Sequence, residues 1–215
     1  MFVRSAHSEA RVLMPKEGWK LHQEVYEERS WHMQMGDIKL GMVTKETIHE
    51  HLVLRNLLKM YCYEWSQYNT LEVNADGNFA FETCASDYWT KEGYHALLIS
   101  VHGTWAGFVL FDKEGLIVHK DYDYSLAEFF VMYTYRRGGV GRYVAKYLFD
   151  SFPGTWEIGY HPKNTPSVYF WDKVVNEYTN GAYEVRRSCP ENKYHDGTLG
   201  DVLSFNSCTS RMSER

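Results

Sequence analysis

Seven consecutive positions, Arg136-Arg137-Gly138-Gly139-Val140-Gly141-Arg142, mix three glycines with three arginines directly ahead of a helical pattern. The chemistry this allows is anion binding. The first N–H groups of a helix have no internal partner, and they stand at the positive end of its dipole. Glycine lets an anion reach the backbone with no Cβ in the way. Arginine adds attraction and forked donors for phosphate oxygens. In physical terms this is a pyrophosphate-binding turn. The same residues could also make a tight turn with a solvated basic rim, but turn, charge and helix start coincide here, which favours the anion reading. It is not a P-loop, because Gly-x-x-x-x-Gly-Lys-Ser/Thr is absent. Eight residues before this turn, Glu128 is one ionisable residue in the otherwise apolar run Ala-Glu-Phe-Phe-Val. It reads either as a buried base with a raised pKa or as a strand-end carboxylate in solvent.

The elements that would position these residues follow from patterning. The segment 38–43 alternates loosely as a strand. A helix follows, with Thr47-x-x-Glu50 as a capping box and Leu54, Leu58, Tyr61 and Trp65 at helical spacing. Two strands, 96–101 and 105–111, flank a turn at Gly103, and 125–133 is a third. The glycine-rich turn leads into a helix stopped by Pro153-Gly154. A strand at 156–160 precedes a helix from Thr165-Pro166 to about Tyr178, closed by Asn180-Gly181. Late strands are expected at 183–187 and 202–206. This order predicts an α/β (α+β) layer fold with one mixed, mostly antiparallel sheet of six to seven strands and about four helices.

Composition narrows the class. The 215-residue chain has 44% hydrophobic residues, enough for a core without staples, and its 16% aromatic content argues against disorder. A net charge of −5 argues against a general nucleic-acid binder. The four cysteines form no C-x-x-C pair, so a reducing cytoplasm is the expected compartment. No His/Cys/Asp set has zinc-ligand spacing, so no metal is expected. The longest run free of Asp, Glu, Lys and Arg, 94–111, is broken by polar residues and glycine, so no membrane span is expected. Residues 1–34 read as an appended extension, 35–210 as the domain and 211–215 as a tail.

Arg136-x-x-Gly139-x-Gly141 resembles the Arg/Gln-x-x-Gly-x-Gly/Ala motif of the GNAT superfamily of N-acetyltransferases. The run 127–131 looks like that family's fourth strand. Asn164, Ser167 and the trio Tyr169-Phe170-Trp171 resemble its Asn-x-x-Ala-x-x-x-Tyr segment. The stretch 127–175 is especially similar to a bacterial group of predicted acetyltransferases. The resemblance spans roughly 37–206, with two motifs at the family's separation.

The resemblance implies acetyl-CoA as donor, its pyrophosphate held by backbone amides of Arg137, Gly138, Gly139, Val140, Gly141 and Arg142, with Arg136 also among the cofactor-binding residues. It implies that the edge of Phe130, Val131 and Met132 pairs with the pantetheine arm where two central strands splay apart, and that Asn164 touches the arm. Glu128 becomes the base candidate. The family's tyrosine acid falls on Trp171, which has no acidic proton, so Tyr169 is the substitute, with helix-face packing as its alternative role.

The acceptor would enter near Tyr61, Glu64, Trp65, Tyr68, Glu82, Asp87 and the run Asp121-Tyr122-Asp123-Tyr124. Acidic and aromatic groups together suit a small cationic amine. His102, His119 and His161, near strand ends, could act as bases or bind water but read first as surface or turn residues, and Cys84 reads as packing. The main alternative is a non-catalytic acyl-CoA-binding regulatory module. Another is an interaction protein whose N-terminal arm docks on a partner or, in a homodimer, on the second subunit.

Overall fold

The computed structural model describes residues 37–79, 85–116 and 122–208. The proposed extension and tail, with Glu82, Cys84, His119 and Asp121, lie outside the described residues. Along the chain come β1 (Ile38–Val43), α1 (Ile48–Trp65), the short α2 (Asp87–Thr90), β2 (His95–Val101), β3 (Thr104–Asp112) and β4 (Tyr124–Val131). A 3₁₀ turn (Tyr133–Tyr135), α3 (Val140–Ser151), β5 (Thr155–Tyr160), α4 (Thr165–Thr179), β6 (Tyr183–Lys193) and β7 (Leu199–Asn206) complete it. The strands form one seven-stranded sheet in the order β1-β2-β3-β4-β5-β7-β6. Every neighbouring pair is antiparallel except β4 and β5, which run parallel.

The expected order of elements is present. The late strands are longer than patterning suggests, because β6 and β7 pair with irregular register across polar residues. α2 was not expected, since four residues carry no periodicity. The capping box does not form. Thr47 Oγ1 instead accepts from the Thr44 N–H at 2.9 Å, so a local turn takes the hydroxyl that the helix end would have used.

Alternation along β3 divides its side chains between the two faces of the sheet. Phe108 and Leu110 pack with Leu54, Leu57 and Leu58 of α1. Phe111 meets Trp156 on the other face, with ring centroids 5.5 Å apart. There α3 buries Val144, Ala145, Leu148 and Phe149. Phe149 locks that helix to the sheet through Trp156 at 5.4 Å and Phe205 at 4.8 Å. Much of the aromatic surplus is therefore core.

Candidate active site

The parallel β4–β5 ladder is short. It pairs Tyr124 with Trp156, Ser125 with Glu157 and Leu126 with Ile158, and goes no further. The next residue on β4, Ala127, is a bulge: Leu110 opposes Glu128 whereas Phe111 opposes Leu126. From there to Val131, β4 is held by β3 alone. Met132 N–H turns to Ala106 O of β3 at 2.8 Å, so strand alternation turns the polar groups of Val131 to the open edge. Phe130, Val131 and Met132 all line the cleft that results. Its volume is about 1710 Å³, larger than a site for one drug-sized ligand requires.

The glycine-rich turn closes one end. Gly139 caps α3 at φ +88° and no neighbour lies within 4 Å of where a Cβ would project. Arg137 also takes a positive φ, 65°. The Tyr143 N–H donates to Gly139 O at 2.9 Å, which leaves the helical amides of Val140, Gly141 and Arg142 without intrahelical acceptors. Gly141 sits against Phe170, whose ring would be 3.2 Å from a Cβ there. These observations fit a pyrophosphate.

The arginines divide. Arg136 sends Nη1 and Nη2 to the two oxygens of Glu64, each at 2.6 Å, and Nε to Val131 O at 2.7 Å. Arg142 pairs with Glu177 at 2.8 Å. Arg137 and Gly138 are exposed. Sequence reading treats all three arginines as free cationic donors; two have carboxylate partners that linear spacing cannot reveal.

Glu128 lies on the α1 face of the sheet, where it accepts a hydrogen bond from the Tyr61 hydroxyl. Burial raises its carboxyl from 4.5 to about 7, and the bond from Tyr61 works in the opposite direction. Tyr61 is itself held well above its ordinary value, by burial first and then by the charge of Glu128. The Tyr61–Glu128 contact joins residues 67 apart in sequence. Its isolation among apolar residues and the family resemblance were the signals for Glu128 in the sequence; neither pointed to Tyr61.

Asn164 lines the cleft and caps α4, its Oδ1 accepting from the Ser167 N–H at 3.2 Å. Its amide NH₂ remains available to a ligand. Tyr169 lines the cleft at 70% exposure. Trp171 is buried and packs its ring 5.0 Å from Phe129.

On the α1 side the cleft gathers Tyr61, Trp65, Tyr68, Asp87, Tyr88, Asp112 and Tyr194. Asp112 is raised by burial and accepts from the Tyr88 hydroxyl at 3.0 Å. Asp87 is paired with Lys91. His161 is fully buried, 4.6 Å from the Tyr194 ring, with Nδ1 accepting from the Lys163 N–H. The β6–β7 hairpin that supplies Tyr194 carries no motif, so sequence reading missed it. Tyr124 is not in the cleft but lies 4.9 Å from Trp156. Tyr122 faces a smaller groove beside β6. His102 stands at the β2–β3 turn, 3.5 Å from Asp37.

A GCN5-related N-acetyltransferase from Kribbella flavida superposes with a TM-score of 0.53 over 80% of this chain and 99% of its own, at 16% identity. The chain has the GNAT fold. A GNAT acetyltransferase from Streptococcus agalactiae is similar at a TM-score of 0.52, 12% identity, and 79% and 95% coverage. A chimera of Vibrio cholerae spermidine N-acetyltransferase reaches 0.54 at 9% identity, with 82% and 99% coverage. No family model and no curated protein sequence matches the chain. Within this GNAT fold, no cluster of three or more His, Cys, Asp or Glu able to hold a metal ion occurs among the described residues. No helix among them is long and apolar enough to cross a membrane.

Proposed function

We propose that this chain is an acetyl-CoA-dependent N-acetyltransferase acting on a primary amine of a small cationic acceptor. One coincidence supports this most. The open β4 edge, an amide-rich helix start and a glutamate titrating near 7 share a single cleft. In this reading residues 35–210 form the catalytic domain.

The amides of Arg137, Gly138, Gly139, Val140, Gly141 and Arg142 hold the pyrophosphate, and the unpaired Arg137 guanidinium adds charge. Arg136 serves by tying the turn to α1 and β4. The edge of Phe130, Val131 and Met132 orders the pantetheine arm. Because Val131 O already accepts from Arg136, the Val131 N–H is its free group. Asn164 donates from its amide NH₂. Bound there, acetyl-CoA would supply the activated thioester. Glu128, ionised above about pH 7, takes a proton from the acceptor nitrogen and frees its lone pair. Tyr169, at the rim, is the tyrosine placed to protonate the departing thiolate. Asp112 and the rings of Trp65, Tyr68 and Tyr194 attract the cation. A reducing cytoplasm belongs to this reading, because the four cysteines are scattered with no C-x-x-C pair.

A second reading, a non-catalytic acyl-CoA-binding module, draws on the buried Trp171 where the resemblance puts an acid. Thiol release from acetyl-CoA with a panel of polyamines and amino acids separates the two. Turnover that falls ~10²–10⁴-fold in Glu128→Gln supports the enzyme. Donor binding without turnover on every amine favours the module.

A further inference from the structure

The Tyr61–Glu128 bond reaches beyond that assignment, although it rests on Glu128 being the base. A base in this cleft needs one carboxylate oxygen free and aimed, and the hydrogen bond that acts on the Glu128 carboxylate comes from a side chain, not from the backbone. Tyr61 supplies one. Its ring meets Phe108 edge-on at 5.8 Å and 83°, and Phe130 at 5.9 Å and 67°. It lies nearly parallel to Trp65, at 6.3 Å and 12°. Three ring contacts from α1, β3 and β4 set where the hydroxyl points, and it points at Glu128 Oε2.

We propose that Tyr61 is a positioning residue for this reaction, holding Glu128 Oε2 so that Oε1 faces the acceptor nitrogen. The N–H bond of the acceptor breaks, the proton passes to Oε1, and the nitrogen lone pair is left for acyl transfer. Tyr61 keeps its own proton throughout.

The surroundings leave this task to Tyr61. From α2, Tyr88 faces Glu128 but donates to Asp112 of β3. From the β6–β7 hairpin, Tyr194 faces it as a phenol raised by burial and by the charge of Glu128. From α1, Cys62 is buried beside Tyr61, and Glu64 is engaged by Arg136. From the end of β5, His161 packs against Tyr194. Arg136, the guanidinium of the adjoining turn, is held by Glu64 and Val131 O. A charge-assisted hydroxyl–carboxylate bond therefore opposes the desolvation of Glu128.

Tyr61→Phe keeps the ring and removes the donor. Two readouts test it. One is the Glu128 titration followed by carboxyl-carbon NMR, with Glu128→Gln assigning the signal; the other is the pH dependence of kcat/KM. The midpoint is expected to rise by about one unit, as a charged hydrogen bond of ordinary strength implies. Activity at pH 7 should then fall about fivefold and recover above pH 9, with acetyl-CoA affinity unchanged. Incorporating 3-fluorotyrosine at position 61, a stronger donor of nearly the same shape, should move the midpoint down. An unshifted titration in both variants overturns the proposal. A Glu128→Gln variant with full activity removes the base reading instead, and the NMR midpoint still reports on Tyr61.

Discussion

Arg136 and Glu64 meet fork to fork, each terminal guanidinium nitrogen 2.6 Å from one carboxylate oxygen, and this pair ties the glycine-rich turn to α1. Both side chains are about one-third exposed, 34% and 38%, so the pair adds ~1 kcal/mol or less to stability. Its larger consequence is positional, because the same guanidinium also holds Val131 O on the open edge.

Arg136→Lys and Glu64→Gln are therefore both expected to weaken acetyl-CoA binding, by about three- to tenfold, since either breaks a bidentate pair. Isothermal titration calorimetry decides this. If Arg136 acted by direct charge on the phosphates, Glu64→Gln would free it and tighten binding.

Glu128 has an ordinary value of 4.5 and a folded value of about 7, raised mainly by burial. Between these limits the folded state binds more protons than the unfolded chain, so this group's contribution to stability declines as pH climbs through that window. Glu128→Gln should flatten the fall of Tm between pH 5 and 8. In the wild type, kcat/KM should rise with pH through a midpoint near 7, because the base works ionised.

Gly139 at φ +88° has open space around the site of a Cβ. Gly139→Ala should cost about 1 kcal/mol through the backbone alone, read by urea denaturation. Gly139→Asp should add a loss of acetyl-CoA affinity that shrinks in high salt. Equal affinity of the two variants would remove the pyrophosphate from this turn.

Asn164 caps α4, and a pair of variants separates that task from its proposed contact with acetyl-CoA. Asn164→Ala removes the cap on Ser167 N–H and should cost about 1 kcal/mol. Asn164→Asp keeps the cap and removes the NH₂ donor. Stability should hold in the second variant while acetyl-CoA affinity falls.

Trp156 is fully buried among Phe111, Tyr124 and Phe149. Trp156→Ala should cost ~3–5 kcal/mol in urea denaturation. It stands at the start of the short β4–β5 ladder, opposite Tyr124, so the loss also tests what holds the two strands together before they part.

Local rules carried the element order and the glycine-rich turn. Helical spacing in 48–65, the stop at Pro153-Gly154 and the Gly139-x-Gly141 pattern each depend on near neighbours and were legible as such. Glu128 could be singled out because one charge in an apolar strand has few explanations. Which of its two environments it has depends on α1, which half-buries it and brings the Tyr61 hydroxyl to its carboxylate.

The sequence by itself therefore determined which residue types stand at the turn, that a helix begins there, and that the aromatic surplus must be packed. The tertiary structure decided their tasks. It gave Arg136 to Glu64, set Tyr61 on Glu128, brought Tyr194 to the cleft and set Tyr124 against Trp156, outside it. Helix starts and turns are set by interactions within a few residues. Charge partners and desolvation depend on which distant segments the fold packs together, and no spacing along the chain encodes that.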